Sequence, residues 1–284
     1  MGTNSFWYWW QHLPENISPV IFEVGFFRLQ YYGLMYLVAF GVTYALVLYR
    51  IKHESRFDIS KDQVKELSLS IILGLMIGAR LGYVFFYNFL YYLKHPLEII
   101  LPFSHSNGFT FTGISGMSYH GGLIGVLLGA WLYVRKSDVT FREILDLYAP
   151  VVPLGYTFGR LGNFINGELF GRVTSSSIGM YFPLSQSIER RHPSQLYEAF
   201  FEGIFLFCVL WGIRKRKLPS GIFAVFYLAG YGAVRFVIEY FREPDSHLGF
   251  VVGPLSMGQI LCSLMILAAI LLYFYLRQLD RRPA

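Results

Sequence analysis

Three ionisable side chains, His120, Arg160 and Arg235, stand inside long apolar stretches of the chain. Charge in an apolar span is costly, so such residues are functional candidates by default. Two arginines suit an anion, which the planar guanidinium grips with paired hydrogen bonds, and a neutral imidazole can accept a proton near pH 7. Helical spacing gathers more polar groups: Arg235, Glu239 and Arg242 follow i, i+4, i+7, Arg160, Asn163 and Gly167 share one face by the same rule, and Glu198 and Glu202 lie one turn apart. Few acids accompany Arg160 and Arg235, which favours an anionic ligand, a lipid phosphate being the nearest, over a structural ion pair. For Arg80 and Glu202 both readings stay open.

The elements that position these residues must cross a membrane. Of 284 residues, 54% are hydrophobic and only 15% charged, against roughly 25% charged in a soluble domain, and the mean hydropathy is +0.44. An aromatic content of 19% and 28 glycines suit interfacial rings and close helix contacts. Cys208 and Cys262 both lie in apolar runs, so neither a disulfide framework nor a cysteine metal site is expected, and no metal or cofactor is called for. The net charge of +6 is spread as short basic clusters between apolar runs, which excludes a nucleic-acid groove. The first 27 residues do not read as a cleavable signal, and Trp7, Tyr8, Trp9 and Trp10 read as an interfacial belt.

A window of about 20 residues predicts an all-α membrane protein of a single domain, with seven spans near 29–49, 67–92, 115–134, 144–165, 195–213, 221–241 and 254–276. Asp146, Pro150, Pro153 and Arg160 interrupt the fourth, but alternation of the loops requires it. One side of the membrane then carries fifteen Lys and Arg, clustered at 50–65, 135–142, 214–217 and 277–282, and the other six. The richer side is cytoplasmic, so the N-terminus and the connections at 93–114 and 168–194 face outward and the C-terminus inward. At about 1.5 Å per residue, His120, Arg160 and Arg235 fall in the outer third, with Arg80, Tyr32 and Glu198 at similar depth. One polar chamber open to the outer leaflet would collect them.

The run Ser118, Tyr119, His120, Gly121, Gly122, Leu123, Ile124, Gly125 sets a histidine before glycines that let a substrate or another helix approach. A lone histidine in an apolar helix is more often a packing residue, but its depth beside the arginines favours function. Gly113, Ile114, Ser115, Gly116 matches the nucleophile pattern of rhomboid intramembrane proteases, yet no later span carries the histidine that such a dyad needs. A transporter would need polar residues continuing to the inner face, and the inner halves of spans three, five and six are nearly uncharged. A lipid-binding structural protein would share the pocket without needing a base.

The densest polar and glycine cluster, GRLGNFINGELFGR at 159–172, is compatible by composition with a re-entrant turn or a transporter gate. It strongly resembles the signature of the prolipoprotein diacylglyceryl transferase family. The other blocks of that family follow in order: YYGLMYLVAF at 31–40, SYHGGLIG at 118–125, HPSQLYE at 192–198, RFVIEYFREPD at 235–245 and SMGQ at 256–259. The resemblance runs from Tyr31 to Gln259, and no motif position departs from it. The divergent parts are the first 27 residues and the loop near 173–191.

The resemblance implies a seven-span enzyme of the bacterial inner membrane, with its N-terminus and active site on the periplasmic side. It would move a diacylglyceryl group from phosphatidylglycerol to the lipobox cysteine of an exported prolipoprotein signal peptide, leaving a thioether and glycerol 1-phosphate. By the same resemblance Arg160 grips the donor phosphate, Arg235 assists the leaving group and His120 is the candidate base. Tyr32, Asn163, Glu168, Gly171 and Glu239 shape the pocket, and Asn166 and Arg242 join them as substrate-binding residues. The chemistry suits the residues, since a thiol of ordinary pKa near 8.5 gains from a base and arginines stabilise charge on a departing phosphate.

Overall fold

Proline and one buried carboxylate decide how the middle of the chain is divided. A computed structural model describes residues 5–25, 27–100, 103–104, 110–111, 116–243, 250–253 and 255–280. Its helices are α1 Ser5–Gln11, α2 Tyr31–His53, α3 Lys61–Tyr87, α4 Phe89–Lys94, α5 Tyr119–Val134, α6 Phe141–Tyr148, α7 Val152–Ile165, α8 Ser194–Ile213, α9 Ile222–Ile238 and α10 Met257–Asp280. Three short antiparallel pairs join β1 Val20–Val24 to β2 Phe27–Gln30, β3 Phe103–Ser104 to β4 Thr110–Phe111, and β5 Phe250–Val252 to β6 Leu255–Ser256. Helices α2, α3, α8 and α10 are long and apolar enough to cross a membrane, while α5 and α9 are apolar but shorter.

The stretch 144–165, expected as one span, is two helices. Pro150 supplies no backbone N–H and cannot continue α6, and Pro153 suits the first turn of a new helix, so α6 ends at Tyr148 and α7 restarts at Val152. The break is fixed from both sides. Fully buried Arg50 donates to the carbonyls of Asp146 and Leu147 at 2.6 Å each, which completes the end of α6. The Asp146 carboxylate accepts from the backbone N–H of Gly221 at 2.8 Å and of Phe223 at 3.1 Å, and so caps the start of α9. Leaving such buried groups unpaired costs about 1–3 kcal/mol each.

The chain forms two compact units, Met1–Arg50 with Leu145–Ala284, and Ile51–Ile144. In the second, α3 and α5 pack backbone to backbone. A side chain at Gly74, Gly78 or Gly82 of α3, or at Gly121, Gly125 or Gly129 of α5, would run into the facing helix, the small-residue packing common among membrane helices. Ser60 and Gln63 make a capping box at the start of α3, and Ser118 caps α5 by accepting from the Gly121 N–H at 3.2 Å. Arg80 donates to the carbonyls of Ile99 at 2.9 Å, Glu98 and Gly116 at 3.2 Å, and lies over the Tyr92 ring. Its role is structural, fastening the chain around residues 98 and 116 to α3. Gly113, Ile114 and Ser115, which carry the protease-like match, lie outside the described residues.

In the first unit, Ala149, Ile222, Phe223, Val225, Ala269 and Leu276 form a core between α9 and α10. A second core of Phe164, Met180 and Phe182 gathers the 168–194 connection, with Trp10, Leu13 and Ile17 packed on it. The aromatic N-terminal helix is therefore divided. Trp7, Tyr8 and Trp9 are exposed as an interfacial belt requires, while Trp10 donates its indole N–H to the Ile178 carbonyl at 2.9 Å.

Candidate active site

Helix α7 presents Tyr156, Arg160 and Asn163 on one face, at the i, i+4, i+7 spacing that aligns side chains over two turns. Its glycine-rich end then reverses the chain. Gly167 takes φ +68°, a conformation glycine adopts without strain. The Gly167 N–H donates to the Phe164 carbonyl at 2.9 Å and the Glu168 N–H to the Asn163 carbonyl at 3.1 Å, the two bonds of a Schellman motif. Gly167 is thus past the helix rather than on the Arg160 face, as spacing alone had suggested. The reversal brings the Glu168 carboxylate back over the helix end, where it accepts from Asn163 Nδ2 at 2.8 Å and from Asn166 Nδ2 at 3.5 Å. Behind α7, Gly162 faces the Tyr32 ring of α2, and the Tyr32 hydroxyl bonds to Asn163 and to Tyr36, the latter at 3.1 Å.

Helix α8 brings the counter-charges. Its residues Glu198–Phe205 form a π-helical stretch, a local widening often found at functional sites. A side chain at Gly203 would strike Thr157, so α7 and α8 come close there, and the Thr157 hydroxyl donates to the Ala199 carbonyl at 3.2 Å. Fully buried Glu198 reaches Arg160 Nε at 2.8 Å, Arg235 Nη1 at 3.0 Å and Arg242 Nη1 at 3.4 Å. Glu202 accepts from the Tyr156 hydroxyl and lies 3.4 Å from Arg235, while Arg160 Nε also donates to Tyr156 at 2.6 Å. The expectation of few acids beside the arginines is therefore corrected. Across the spacing of helix on helix, which sequence does not display, α7, α8 and α9 with the residues just after α9 set three glutamates against three arginines.

Arg235 lies in the last turn of α9 and pairs with Glu239 at 3.1 Å. Glu239 is held in turn at the start of α10, where it accepts from the Ser256 hydroxyl at 3.2 Å. The SMGQ block is a capping box, with the Ser256 N–H bonded to Gln259 at 3.1 Å and the Gln259 N–H to Ser256 at 3.2 Å. A side chain at Gly258 would fall on the Glu239 carboxylate, so the glycine keeps space for it. Gly171 works through its backbone. Its N–H donates to the His192 carbonyl at 2.8 Å and it bridges to Arg242, and a Cβ there would meet Phe241 and His192.

Of the residues expected to act together, Tyr32, Arg160, Asn163, Asn166, Glu168, Gly171, Arg235, Glu239 and Arg242 belong to this one network. Glu198, expected at the same depth, belongs to it as well, as do Tyr156, Glu202, Ser256 and Gln259, which were not expected in it. His120 lies in the other compact unit, exposed on the first turn of α5, its ring edge-on to Tyr119. The glycines that follow it serve packing against α3 rather than room for a substrate. Outside the spans, burial lowers the pKa of His192, whose Nδ1 lies 3.1 Å from the Tyr197 hydroxyl.

Comparison with known proteins bears on what this network does. A family profile described as prolipoprotein diacylglyceryl transferase matches residues 19–275. Proteins named phosphatidylglycerol–prolipoprotein diacylglyceryl transferase are similar over nearly their whole length. The one from Chlorobaculum tepidum is 52% identical, covering 92% of this chain and 91% of its own. Those from Treponema denticola and Bordetella avium are 43% and 46% identical, covering 95% and 94% of this chain and 94% and 98% of theirs.

Proposed function

Because this chain belongs to the prolipoprotein diacylglyceryl transferase family, we propose that it transfers the diacylglyceryl group of phosphatidylglycerol to the lipobox cysteine of exported prolipoproteins. It is a membrane transferase of lipoprotein biosynthesis. In the reaction proposed, the thiol sulfur attacks the glyceryl carbon that bears the phosphate. The carbon–sulfur bond forms as the carbon–oxygen bond breaks, the thiol proton passes to a base, and glycerol 1-phosphate leaves. The buried meeting of Arg160 and Arg235 around one carboxylate carries this reading, because two guanidinium groups held together are suited to a phosphate gaining charge.

In this reading Arg160 grips the donor phosphate and Arg235 stabilises the leaving group. Tyr32, Asn163, Asn166, Glu168, Gly171, Glu239 and Arg242 shape the site. His120 is the base, a role that rests on its chemistry and on the family block around it. Purified protein given phosphatidylglycerol and a lipobox peptide should release glycerol 1-phosphate only when the peptide keeps its cysteine. Equal release from a peptide with serine in that place would mean lipid hydrolysis and overturn the reading.

The enzyme is proposed to sit as one domain in the bacterial inner membrane with seven spans, α6 and α7 together filling the fourth. Fifteen basic residues against six favour a periplasmic N-terminus and active site and a cytoplasmic C-terminus. Ser176, exposed in the 168–194 connection, offers a test. Its replacement by cysteine, in a chain with Cys208 and Cys262 removed, should label with an impermeant thiol reagent in intact spheroplasts. Labelling that needs lysis would reverse the orientation.

A further inference from the structure

Each arginine of the site has partners of its own and one partner in common. Arg160 holds Tyr156 and Asn163, and Arg235 holds Glu202 and Glu239. Glu198 alone, among the described residues, pairs with both, its Oε2 lying 2.8 Å from Arg160 Nε and its Oε1 3.0 Å from Arg235 and 3.4 Å from Arg242. Two guanidinium groups repel, and a hydrogen-bond acceptor shared between them holds both in place. The Glu198 side chain is that acceptor, fully buried on the first residue of the π-helical stretch.

We propose that Glu198 is a positioning residue that sets the two phosphate-binding arginines in place and, through its charge, makes the phosphate product leave. The inference rests on the phosphoryl-anion reading of this site. With all groups ionised, Arg160, Arg235 and Arg242 balance Glu198, Glu202 and Glu239, and Glu168 leaves the site with one negative charge. A phosphodiester such as phosphatidylglycerol adds a second. The product is a phosphomonoester, which carries nearly two at pH 7 because its second pKa is near 6. The site thus holds the product against an excess of negative charge, and Glu198, nearest to both arginines, contributes most to its expulsion. No residue of the cluster needs to move far for this to operate, because the repulsion is electrostatic and acts across the low-dielectric interior.

Glu198→Gln keeps size and hydrogen bonding but removes the charge. Isothermal calorimetry on the purified full chain should show glycerol 1-phosphate binding at least about tenfold tighter to Glu198→Gln than to wild type. In turnover, KM for phosphatidylglycerol and kcat should fall together, with inhibition by added glycerol 1-phosphate growing in step. Glu198→Asp keeps the charge with a shorter reach, so it should bind glycerol 1-phosphate as weakly as wild type does and recover part of kcat. A carboxylate that only braced the bundle would behave otherwise. Glu198→Gln would then raise KM or leave glycerol 1-phosphate affinity unchanged, and Glu198→Asp would be no closer to wild type than Gln is. Either result overturns the proposal, and if Gln does not fold, tight product binding by Asp overturns it alone. Failure of wild type itself to bind glycerol 1-phosphate would instead count against the transferase site.

Discussion

His120→Gln should lower turnover by about 10²- to 10⁴-fold at pH 7, the usual worth of a positioned general base, while binding of phosphatidylglycerol changes little. Glutamine keeps a hydrogen-bonding side chain but cannot take the thiol proton. Raising the pH toward the thiol's ordinary pKa of about 8.5 should recover part of the loss, since more of the peptide is then thiolate without help. The structure sharpens this test in one respect. Gly121 and Gly125 pack against Gly78, Gly82 and Gly74 of α3, so substitutions of those glycines would disturb the helix pair, whereas exposed His120 can change without repacking. A variant equally slow at pH 7 and pH 9 that still binds lipid would make His120 an orienting donor and send the proton elsewhere.

Arg160→Lys should cost at least about an order of magnitude in turnover with the fold intact. The guanidinium reaches Tyr156 and Glu198 through Nε and Asn163 through Nη1, and its fork lets it do so while facing a phosphate. One lysine ammonium cannot keep these three partners and the ligand together. The loss should appear in KM for phosphatidylglycerol as well as in kcat, because the residue holds the phosphate before and during reaction. Unchanged kinetics in a well-folded Arg160→Lys protein would remove Arg160 from phosphate binding.

Much of the helical order was legible from hydropathy, because a bilayer imposes both length and composition on each span. The boundary that failed, near 144–165, failed for a local reason. Pro150 ends one helix and Pro153 begins the next, but the bonds that make the break stable, from Arg50 to the Asp146 carbonyl and from Gly221 to the Asp146 carboxylate, join residues far apart in sequence. At the site, the polar groups of Arg160 to Glu168 could be read as a cluster, whereas the reason for Gly167 is a helix-ending hydrogen-bond pattern that appears only with backbone angles. Glu198 and Glu202 carry a further signal in the sequence. Two acids one turn apart in an apolar helix must find cations, and Arg160 and Arg235 stand at matching depth. Which arginine meets which acid depends on helix register and on the π-helical widening at Glu198, and neither is written in spacing.

The most direct measurement is the mass of a lipobox peptide after incubation with the purified protein and phosphatidylglycerol of known acyl chains. The peptide should gain the mass of one diacylglyceryl group on its cysteine, with the sulfur–carbon bond surviving hydroxylamine as a thioether does. A peptide of unchanged mass, or one carrying a single acyl group released by hydroxylamine, would contradict diacylglyceryl transfer by this chain.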